Sequence, residues 1–311
     1  MEIHSAQIKD IEGIITLINS SNESKVTHDY LLNWYWKNPH NSFSIQILKD
    51  TEYVYGISST NNFTFDFLEK EVKVAFPQKV VTSEKIRGKG YFSKLYWKNE
   101  EDNDLNENVD FFLTFTNHVS TPIFLKKLSY LKGQCPDMTY LPPKLFTSKG
   151  VTYTKVNNFD TLESSFQVKI SNGMKKNKDY FSWRYSNNVG CVGSNYEILL
   201  VSKNQKNIGY LILKKTNKKG VPILYLVDYI SFNELNISLL LQASRHYAFK
   251  MRCVGVMFMN NMQIDKHLNG FFLKLKLKNK LNFLVKGKNE QESQLLAKTT
   301  FNFQLGDLDF I

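Results

Sequence analysis

The sequence predicts an α/β protein made of two halves, each a mixed α/β unit around a central sheet. Three observations support this class. Runs of β-branched and aromatic residues with the length of strands alternate with segments whose apolar residues recur at helical spacing. A weak internal repeat, at residues 29–38 and again at 179–187, divides the 311-residue chain. In the first half, a strand also leads through a glycine-containing turn directly into a helix.

The first half should contain five strands and four helices. Continuous or alternating apolar runs predict the strands, and apolar residues three and four apart predict the helices. The Asn38-Pro39 pair should end the second helix, because proline disfavours helix at the preceding residue. The expected strands are 3–7, 44–48, 53–58, 72–82 and 109–115, and the expected helices are 8–18, 28–36, one that carries Phe92, Leu95 and Tyr96, and 119–128.

The second half repeats this order less regularly. Residues 29–38 resemble 179–187 when one gap is allowed, and strands are expected afterwards at 198–201, 209–214 and 223–231. Pro136 and the Pro142-Pro143 pair mark the boundary between the halves. We therefore predict two domains, 1–140 and 141–311.

Composition indicates a globular protein of the cytoplasm. Hydrophobic residues make up 42% and charged residues 22% of the chain, and no apolar run approaches the roughly 20 residues that span a bilayer. The N-terminus does not have the pattern of a signal peptide. The three cysteines and six histidines are too dispersed to predict a disulfide framework or a metal site. We therefore predict a cytoplasmic protein without a metal.

The net charge of +11 indicates an anionic partner. Nucleic acid, an acidic membrane surface and small phosphorylated molecules all fit that charge. Most basic residues are scattered, however, and neither an aromatic RNA-binding strand nor a basic helix is present in the sequence. The basic residues therefore do not settle the choice among these partners.

The segment 80–92 carries the clearest functional pattern. The strand end Val80-Val81-Thr82 leads to Arg87-Gly88-Lys89-Gly90 and then to a helix that starts at Tyr91-Phe92. A helix N-terminus offers unpaired N–H groups to phosphate, glycines let the phosphate approach, and the basic side chains add positive charge. The patterns of nucleotide triphosphatases and of dinucleotide-binding folds are both missing. We therefore predict a pyrophosphate site of another type.

This loop resembles the acyl-CoA pyrophosphate loop of the GNAT acyltransferase superfamily, Arg/Gln-x-x-Gly-x-Gly/Ala. Arg87 and Gly90 match that pattern, whereas Phe92 occupies its last position. The segment Asn117-His118-Val119-Ser120 resembles the Asn-x-x-Ala/Ser that opens the next GNAT helix. In the family this asparagine often bonds the pantetheine arm, so Asn117 is expected to contact the cofactor.

The resemblance implies tandem GNAT-like domains, each a mixed, mostly antiparallel twisted sheet flanked by helices. It also implies acyl-CoA as a co-substrate. The matching place in the second half, residues 231–237, has no glycine and no basic residue, and Glu234 would repel a phosphate. We therefore expect CoA in the first half alone, with the second half shaping the acceptor site.

The expected reaction is direct attack of a neutral amine on the thioester. Backbone N–H groups near Val81 and Thr82 would polarise the carbonyl. The family's usual tyrosine acid falls at Phe124, which is expected to contact the cofactor but cannot donate a proton. The base is open: Asp307, Glu84, His118 and a water molecule are the candidates.

The acceptor site is predicted at Trp183-Arg184-Tyr185, where rings can stack on a base or sugar and the guanidinium can bind a phosphate. This segment and Gly306-Asp307-Leu308-Asp309 look like those of two-domain GNAT proteins linked to bacterial surface polysaccharides such as O-antigen. Those relatives acylate nucleotide-linked amino sugars. The resemblance therefore implies such a sugar as acceptor, with Asp307 beside it.

Two alternatives stay open at this stage. One keeps the fold but transfers the acyl group to a peptide, an antibiotic or another small amine, although a polyamine fits poorly with a charge of +11. The other is a basic nucleic-acid-binding protein on a degenerate GNAT scaffold. Steep salt dependence of polynucleotide binding would favour that second alternative, and saturable CoA binding would oppose it.

Overall fold

The chain forms two β-sheets against which helices pack. The computed structural model describes residues 1–21, 25–168, 170–186, 195–268, 275–277 and 282–308. The first half contains the strands β1 Glu2–Ser5, β2 Phe43–Lys49, β3 Val54–Phe67, β4 Lys70–Thr82, β5 Phe111–Thr116, β6 Leu131–Lys132 and β7 Met138–Leu141. Its helices are α1 Ile11–Ser21, α2 His28–Leu31, α3 Tyr91–Asn106 and α4 Thr121–Lys127.

The second half contains further strands and helices in a similar order. Its strands are β8 Val151–Val156, β9 Gln167–Val168, β10 Gly173–Met174, β11 Lys176–Asn177, β12 Glu197–Lys203, β13 Lys206–Lys218, β14 Val221–Ser231, β15 Val256–Met259, β16 Leu275–Leu277 and β17 Asn282–Lys286. Its helices are α5 Lys178–Phe181, α6 Ile237–Lys250, α7 Met262–Lys266 and α8 Glu290–Lys298. No helix in these described ranges is long and apolar enough to cross a bilayer.

Most neighbouring strands in the two sheets are antiparallel, as predicted. Among the described residues, the first sheet has the order β1-β2-β3-β4-β5-β17-β6, with β10 paired to β3, and β9 and β11 form a short separate ladder. The second sheet has the order β16-β7-β15-β14-β13-β12-β8. The pairs β4/β5 and β14/β15 are parallel. Both sheets are therefore mixed.

The internal repeat is visible element by element. The order β2-β3-β4-α3-β5-α4 in the first half matches β12-β13-β14-α6-β15-α7 in the second. Thr27 Oγ1 and Asn177 Oδ1 open the repeated segments, because each accepts a hydrogen bond from the amide three residues later. A π-helical turn then follows in both copies, at Leu32–Trp36 and Ser182–Ser186. The copies therefore align without the gap that the sequence comparison allowed.

Each half contributes a strand to the sheet of the other half. β17 from the second half lies between β5 and β6, and β7 from the first half lies beside β15. The predicted boundary at residue 140 therefore falls within β7, which ends at Leu141. The division into 1–140 and 141–311 stays a prediction, and neither sheet is formed by one half alone.

The repeated segments pack on each other in the core. The rings of Trp34 and Trp183 stack with centroids 4.9 Å apart, and the Trp183 indole N–H donates to the Asn33 carbonyl at 2.8 Å. The Arg184 guanidinium lies 4.6 Å from the centroid of the Trp34 ring. One apolar cluster contains buried residues of both halves. The halves therefore share a core.

Helix α3 contacts the first sheet through buried amide side chains. Asn103 Nδ2 donates to Thr60 Oγ1 at 2.9 Å, and Asn99 Nδ2 donates to the Ser44 carbonyl at 3.1 Å. A shift of the helix would leave these buried groups unpaired, which is costly. The polar contacts therefore fix the second half of α3 against β2 and β3.

Candidate active site

A glycine-containing loop connects β4 to α3. A 3₁₀ turn covers Glu84–Ile86, and Gly90 immediately precedes the helix. Gly88 and Gly90 have φ angles of +77° and +78°, a conformation that glycine adopts without strain. A Cβ atom at either position would meet no atom within 4 Å. The glycines therefore set the loop conformation and leave open space in front of its backbone.

The start of α3 presents backbone N–H groups to that space. The first hydrogen bond of the helix runs from the Lys94 amide to the Gly90 carbonyl at 3.3 Å, and Gly90 has no side chain to cap the end. The amides of Tyr91, Phe92 and Ser93 are therefore among the donors that an α-helix leaves unpaired. The positive end of the dipole of this 16-residue helix lies at the same place. The loop thus attracts anions.

Basic side chains surround the loop, and one carboxylate partly offsets them. Arg87 Nη1 donates to Glu84 Oε1 at 3.0 Å, and both side chains are largely exposed. Such a surface pair contributes at most about 1 kcal/mol, so Arg87 is able to exchange Glu84 for a phosphate. Lys89 and Lys94 add positive charge beside it. Glu84, a predicted candidate for the base, therefore belongs to the loop surface.

Strands β4 and β5 separate as they approach this loop. Their parallel pairing ends at Ala75 and Phe112. Thr114 Oγ1 still reaches the Pro77 carbonyl, at 3.3 Å, and beyond it β4 continues to Thr82 with β3 on its other edge. The edge of β4 that faces the gap therefore offers backbone groups to an extended ligand, in the way that a sheet edge binds an added strand.

The loop, the strand gap and the start of α4 together line a cleft of about 490 Å³. Nine residues predicted to bind the cofactor line it: Val80, Val81, Thr82, Arg87, Gly88, Gly90, Tyr91, Phe92 and Asn117. Two other predicted residues, Lys89 and Phe124, do not line it. Their cofactor-binding roles stay predictions, and the structure brings most of these residues to one place.

Sequence reasoning missed four residues of this cleft: Ile86, Val119, Ser120 and Ile123. A signal for two of them was present. Residues three apart lie on one face of a helical turn, so the spacing of Asn117, Ser120 and Ile123 indicates one side of α4 and of the turn before it. Ile86 offered no such signal, because its position depends on the 3₁₀ turn that only the folded loop shows.

Asn117 stabilises the turn that leads into α4 and keeps a free amide donor. Its Oδ1 accepts hydrogen bonds from the amides of Val119 at 3.0 Å and Ser120 at 2.9 Å. Its Nδ2 has no hydrogen-bond partner in the described part of the chain. Asn117 therefore has a donor available in the cleft. His118, a predicted candidate for the base, is exposed and does not line the cleft.

Phe124 lies behind the cleft in a cluster of aromatic rings. It is 3% exposed, and its ring centroid lies 5.0 Å from that of Tyr96 and 6.2 Å from that of Phe92. The hydroxyls of Tyr96 and Tyr130 are hydrogen-bonded to each other, and burial raises the pKa of both well above the usual value. Neither hydroxyl is therefore a ready acid for a reaction in the cleft.

The segment Trp183-Arg184-Tyr185 lies in the core, which corrects the predicted acceptor surface. Arg184 is 6% exposed, and its Nε and Nη2 donate to the carbonyls of Gly306 and Leu308 at 3.2 and 3.1 Å. The rings of Trp183 and Tyr185 are buried as well. Because the guanidinium holds the C-terminal segment inside the protein, it is not available to bind a phosphate.

Asp307, predicted to act in catalysis and in acceptor binding, is also buried. Its Oδ1 lies 2.5 Å from Lys176 Nζ, which lies 2.8 Å from Asp228 Oδ2, and each side chain is at most 1% exposed. Its Oδ2 accepts from the Gln304 amide at 2.8 Å. These contacts correct the prediction that Asp307 is a base or an acceptor ligand. Asp309 lies outside the described residues.

The second half has a cleft at the matching place, with different chemistry. A 3₁₀ turn at Glu234–Asn236 follows β14 and leads into α6, as in the first half. The cleft of about 300 Å³ is lined in part by Tyr229, Glu234 and Gln263, and its described lining includes no glycine and no basic residue. A carboxylate thus replaces the positive charge of the first loop, which disfavours a pyrophosphate.

Comparison with known proteins agrees with this architecture. No protein-family model and no curated protein sequence matches the chain. The chain is similar to solved GCN5-related N-acetyltransferases from Anabaena variabilis (11% identity, TM-score 0.64, 96% of this chain and 75% of that one) and Kribbella flavida (10%, 0.59, 96% and 73%). It is also similar to Saccharomyces cerevisiae N-myristoyltransferase with bound myristoyl-CoA (13%, 0.55, 91% and 82%).

The chain has the GNAT fold, the fold of GCN5-related N-acetyltransferases, in two copies. The sequence identities of 10 to 13% establish the fold alone. The predicted fold class, tandem GNAT-like units with mixed, mostly antiparallel sheets, is confirmed. The activity has to be argued from the cleft.

Proposed function

We propose that this protein is an acyl-CoA-dependent N-acyltransferase that binds CoA once, in the cleft of the first half. The loop geometry carries the proposal: unpaired helix amides and basic side chains open directly into the gap between β4 and β5. The loop suits the pyrophosphate, and the gap suits the extended pantetheine arm. Asn117 Nδ2 is available for a carbonyl of that arm. The GNAT fold supports the same orientation of the cofactor.

The proposed reaction is direct attack of a neutral amine on the thioester carbon. Backbone N–H groups near Val81 and Thr82 would stabilise the oxyanion, and the cleft would hold the two substrates in contact. The C–N bond forms, the C–S bond breaks, and the amine proton passes to water. Water is the acceptor that we assign, because Asp307 is buried and neither Glu84 nor His118 lines the cleft.

For the acceptor we propose the amine of a nucleotide-linked amino sugar, the class that the sequence resemblance implies. The net charge of +11 supports a second anionic ligand beside CoA. Arg184 is not the phosphate ligand that we first assigned, because it is engaged in the core. The proposal for this acceptor therefore rests on the resemblance and the charge.

One CoA site per chain is the expected result of calorimetry with the wild-type protein. CoA release should then be measured with acetyl-CoA and a panel of nucleotide-linked amino sugars, free amino sugars, peptides and aminoglycosides. We expect turnover with nucleotide-linked sugars and much slower turnover with the free sugars, which lack the remote binding energy of the nucleotide.

Two equal CoA sites would contradict the assignment to the first half. Turnover of a peptide or an aminoglycoside, with none on nucleotide sugars, would keep the enzyme and change its acceptor. Salt-sensitive binding of polynucleotides without CoA binding would contradict the enzyme proposal and favour a nucleic-acid-binding protein.

The substitution Phe124→Tyr should leave kcat within about threefold of the wild-type value. The new side chain would stay in the buried cluster with Tyr96 and Tyr130, whose rings Phe124 contacts, and position 124 does not line the cleft. Steady-state rates with acetyl-CoA check this expectation, with a melting curve to confirm folding. A rise of tenfold or more would show that the side chain reaches the leaving group.

A further inference from the structure

The proposed reaction needs a hydrogen-bond donor for the departing sulfur. As the C–S bond breaks, its electron pair moves to sulfur, and negative charge develops there. Phe124 has no proton to donate, and the hydroxyls of Tyr96 and Tyr130 bond each other behind its ring. A donor therefore has to come from the wall of the cleft.

Three side chains with hydroxyl groups line the described part of the cleft: Thr82, Tyr91 and Ser120. Thr82 and Tyr91 flank the phosphate loop, at the end of β4 and the start of α3. The ammonium of Lys94 lies over the Tyr91 ring, 5.5 Å from its centroid. Tyr91 therefore stands where the pyrophosphate binds. Thr82 belongs to the strand end whose N–H groups are proposed to hold the carbonyl oxygen, so the sulfur on the same carbon points away from it, toward the wall that carries Ser120.

The contact between Ser120 and Asn117 shows where in the cleft the hydroxyl lies. Asn117 Nδ2 is the donor that we propose for a carbonyl of the pantetheine arm, and Ser120 Oγ lies 3.1 Å from Oδ1 of the same side chain. Ser120 therefore lies beside the pantetheine arm, which ends in the thioester, on the α4 side of the cleft.

The Ser120 hydroxyl is free to change its partner. Its Oγ donates to Asn117 Oδ1 at 3.1 Å, and the same oxygen accepts the amides of Val119 and Ser120 at 3.0 and 2.9 Å. An amide oxygen has two lone pairs, so the hydroxyl is the third donor to one atom. If it turns toward a ligand, Asn117 Oδ1 stays satisfied by the two amides.

We propose that the Ser120 hydroxyl donates a hydrogen bond to the CoA sulfur as the thioester breaks. This inference rests on the proposed function and adds one residue to it. The amine forms the C–N bond, the C–S electron pair moves to sulfur, and the amine proton passes to water. Ser120 keeps its own proton, because a thiol with a pKa of about 8.5 is a far stronger acid than an aliphatic alcohol.

Ser120→Ala tests the proposal with two acyl donors and the best acceptor of the panel above. The donors are acetyl-CoA and its analogue with selenium in place of the thioester sulfur. With acetyl-CoA, kcat should fall roughly 10- to 100-fold, as expected when a hydrogen bond to a charged group is lost. With the selenium analogue, kcat should fall no more than about threefold. The selenolate is a weaker base than the thiolate, so its departure depends less on a hydrogen bond. The dissociation constant of CoA should stay within about threefold.

Two variants serve as controls. Ser120→Thr retains the hydroxyl and should keep most of kcat with acetyl-CoA. Thr121→Val removes the neighbouring hydroxyl, which lies 2.8 Å from Thr116 Oγ1 and does not line the cleft. It should lower the melting temperature and leave the ratio of the rates with the two donors unchanged.

The possible failures of this test are distinguishable. Wild-type kcat in Ser120→Ala, or an equal loss with both donors, overturns the inference and leaves the proposed function in place. An absence of turnover with every acceptor overturns the proposed function and the inference with it.

Discussion

Gly90→Asp should raise the dissociation constant of CoA at least 100-fold. Gly90 has a φ angle of +78°, and a side chain there would extend into the open space before the helix amides. The new carboxylate would then stand against the pyrophosphate. Two like charges about 4 Å apart repel by roughly 4 kcal/mol at a protein surface with an effective dielectric constant near 20. Calorimetric titration with CoA at low salt measures the loss.

Gly90→Asn is the matched control for that variant. Asparagine has nearly the same shape as aspartate and tolerates the left-handed conformation comparably well, but it has no charge. It should weaken CoA binding by no more than about tenfold, and added salt should narrow the difference between the two variants. If the two variants lose CoA affinity equally at every salt concentration, the effect comes from the backbone and not from the charge. If Gly90→Asp binds CoA with wild-type affinity, the pyrophosphate binds elsewhere.

Lys176→Met should lower the free energy of unfolding by about 3 to 5 kcal/mol, the usual effect of breaking a buried ion pair. Burial lowers the pKa of Lys176, but the carboxylates of Asp228 and Asp307 outweigh that effect and raise it above its usual value. The substitution leaves both carboxylates in the core without their counter-ion. Denaturant titration at neutral pH measures the difference.

The destabilisation should shrink as the pH is lowered from about 8 to about 5. Burial raises the pKa of Asp228 although Lys176 opposes this, and loss of the lysine raises it further. The folded variant therefore binds this proton more tightly than the unfolded chain does. Since protons favour the state that binds them more tightly, the free energy of unfolding of the variant rises as the pH falls. A defect that is constant over this range would contradict the assignment to a buried carboxylate.

Lys175→Met, at the residue immediately before Lys176, is the control. Lys175 Nζ lies 2.5 Å from Glu71 Oε2, but the side chains are 26% and 64% exposed. Loss of such a surface pair should cost less than about 1 kcal/mol. A similar loss of unfolding free energy in the two variants would show that burial does not determine how much the Lys176 ion pairs contribute to stability.

The geometry of the glycine-containing loop between β4 and α3 could be predicted well because its signals are local. A strand, two glycines, basic residues and a helix follow one another within a dozen residues, so their order in the sequence is also their order in space. The same holds for Asn117, which stabilises the turn that begins beside it. Local signals of this kind survive folding, because neighbouring residues cannot move far apart.

The acceptor prediction was wrong for Trp183, Arg184 and Tyr185 because burial is not a local property. An aromatic pair around an arginine has the same sequence on a surface and in a core. The internal repeat contained one indication of this burial. When the two copies are aligned without a gap, Arg184 matches Trp34, which is itself buried. Only the folded chain shows that the guanidinium lies over that ring and bonds two carbonyls more than 100 residues away.

The sequence by itself determined the α/β class, the duplication, and the confinement of the phosphate loop to the first half, because periodicity and short motifs encode them. The tertiary structure decided what depends on distant partners. In the folded chain, β7 and β17 each lie in the sheet of the other half. Lys176 pairs with Asp307, and Ser120 lines the same cleft as the end of β4. Such contacts join segments that are far apart in the chain, and their free energy appears only when the whole core has formed.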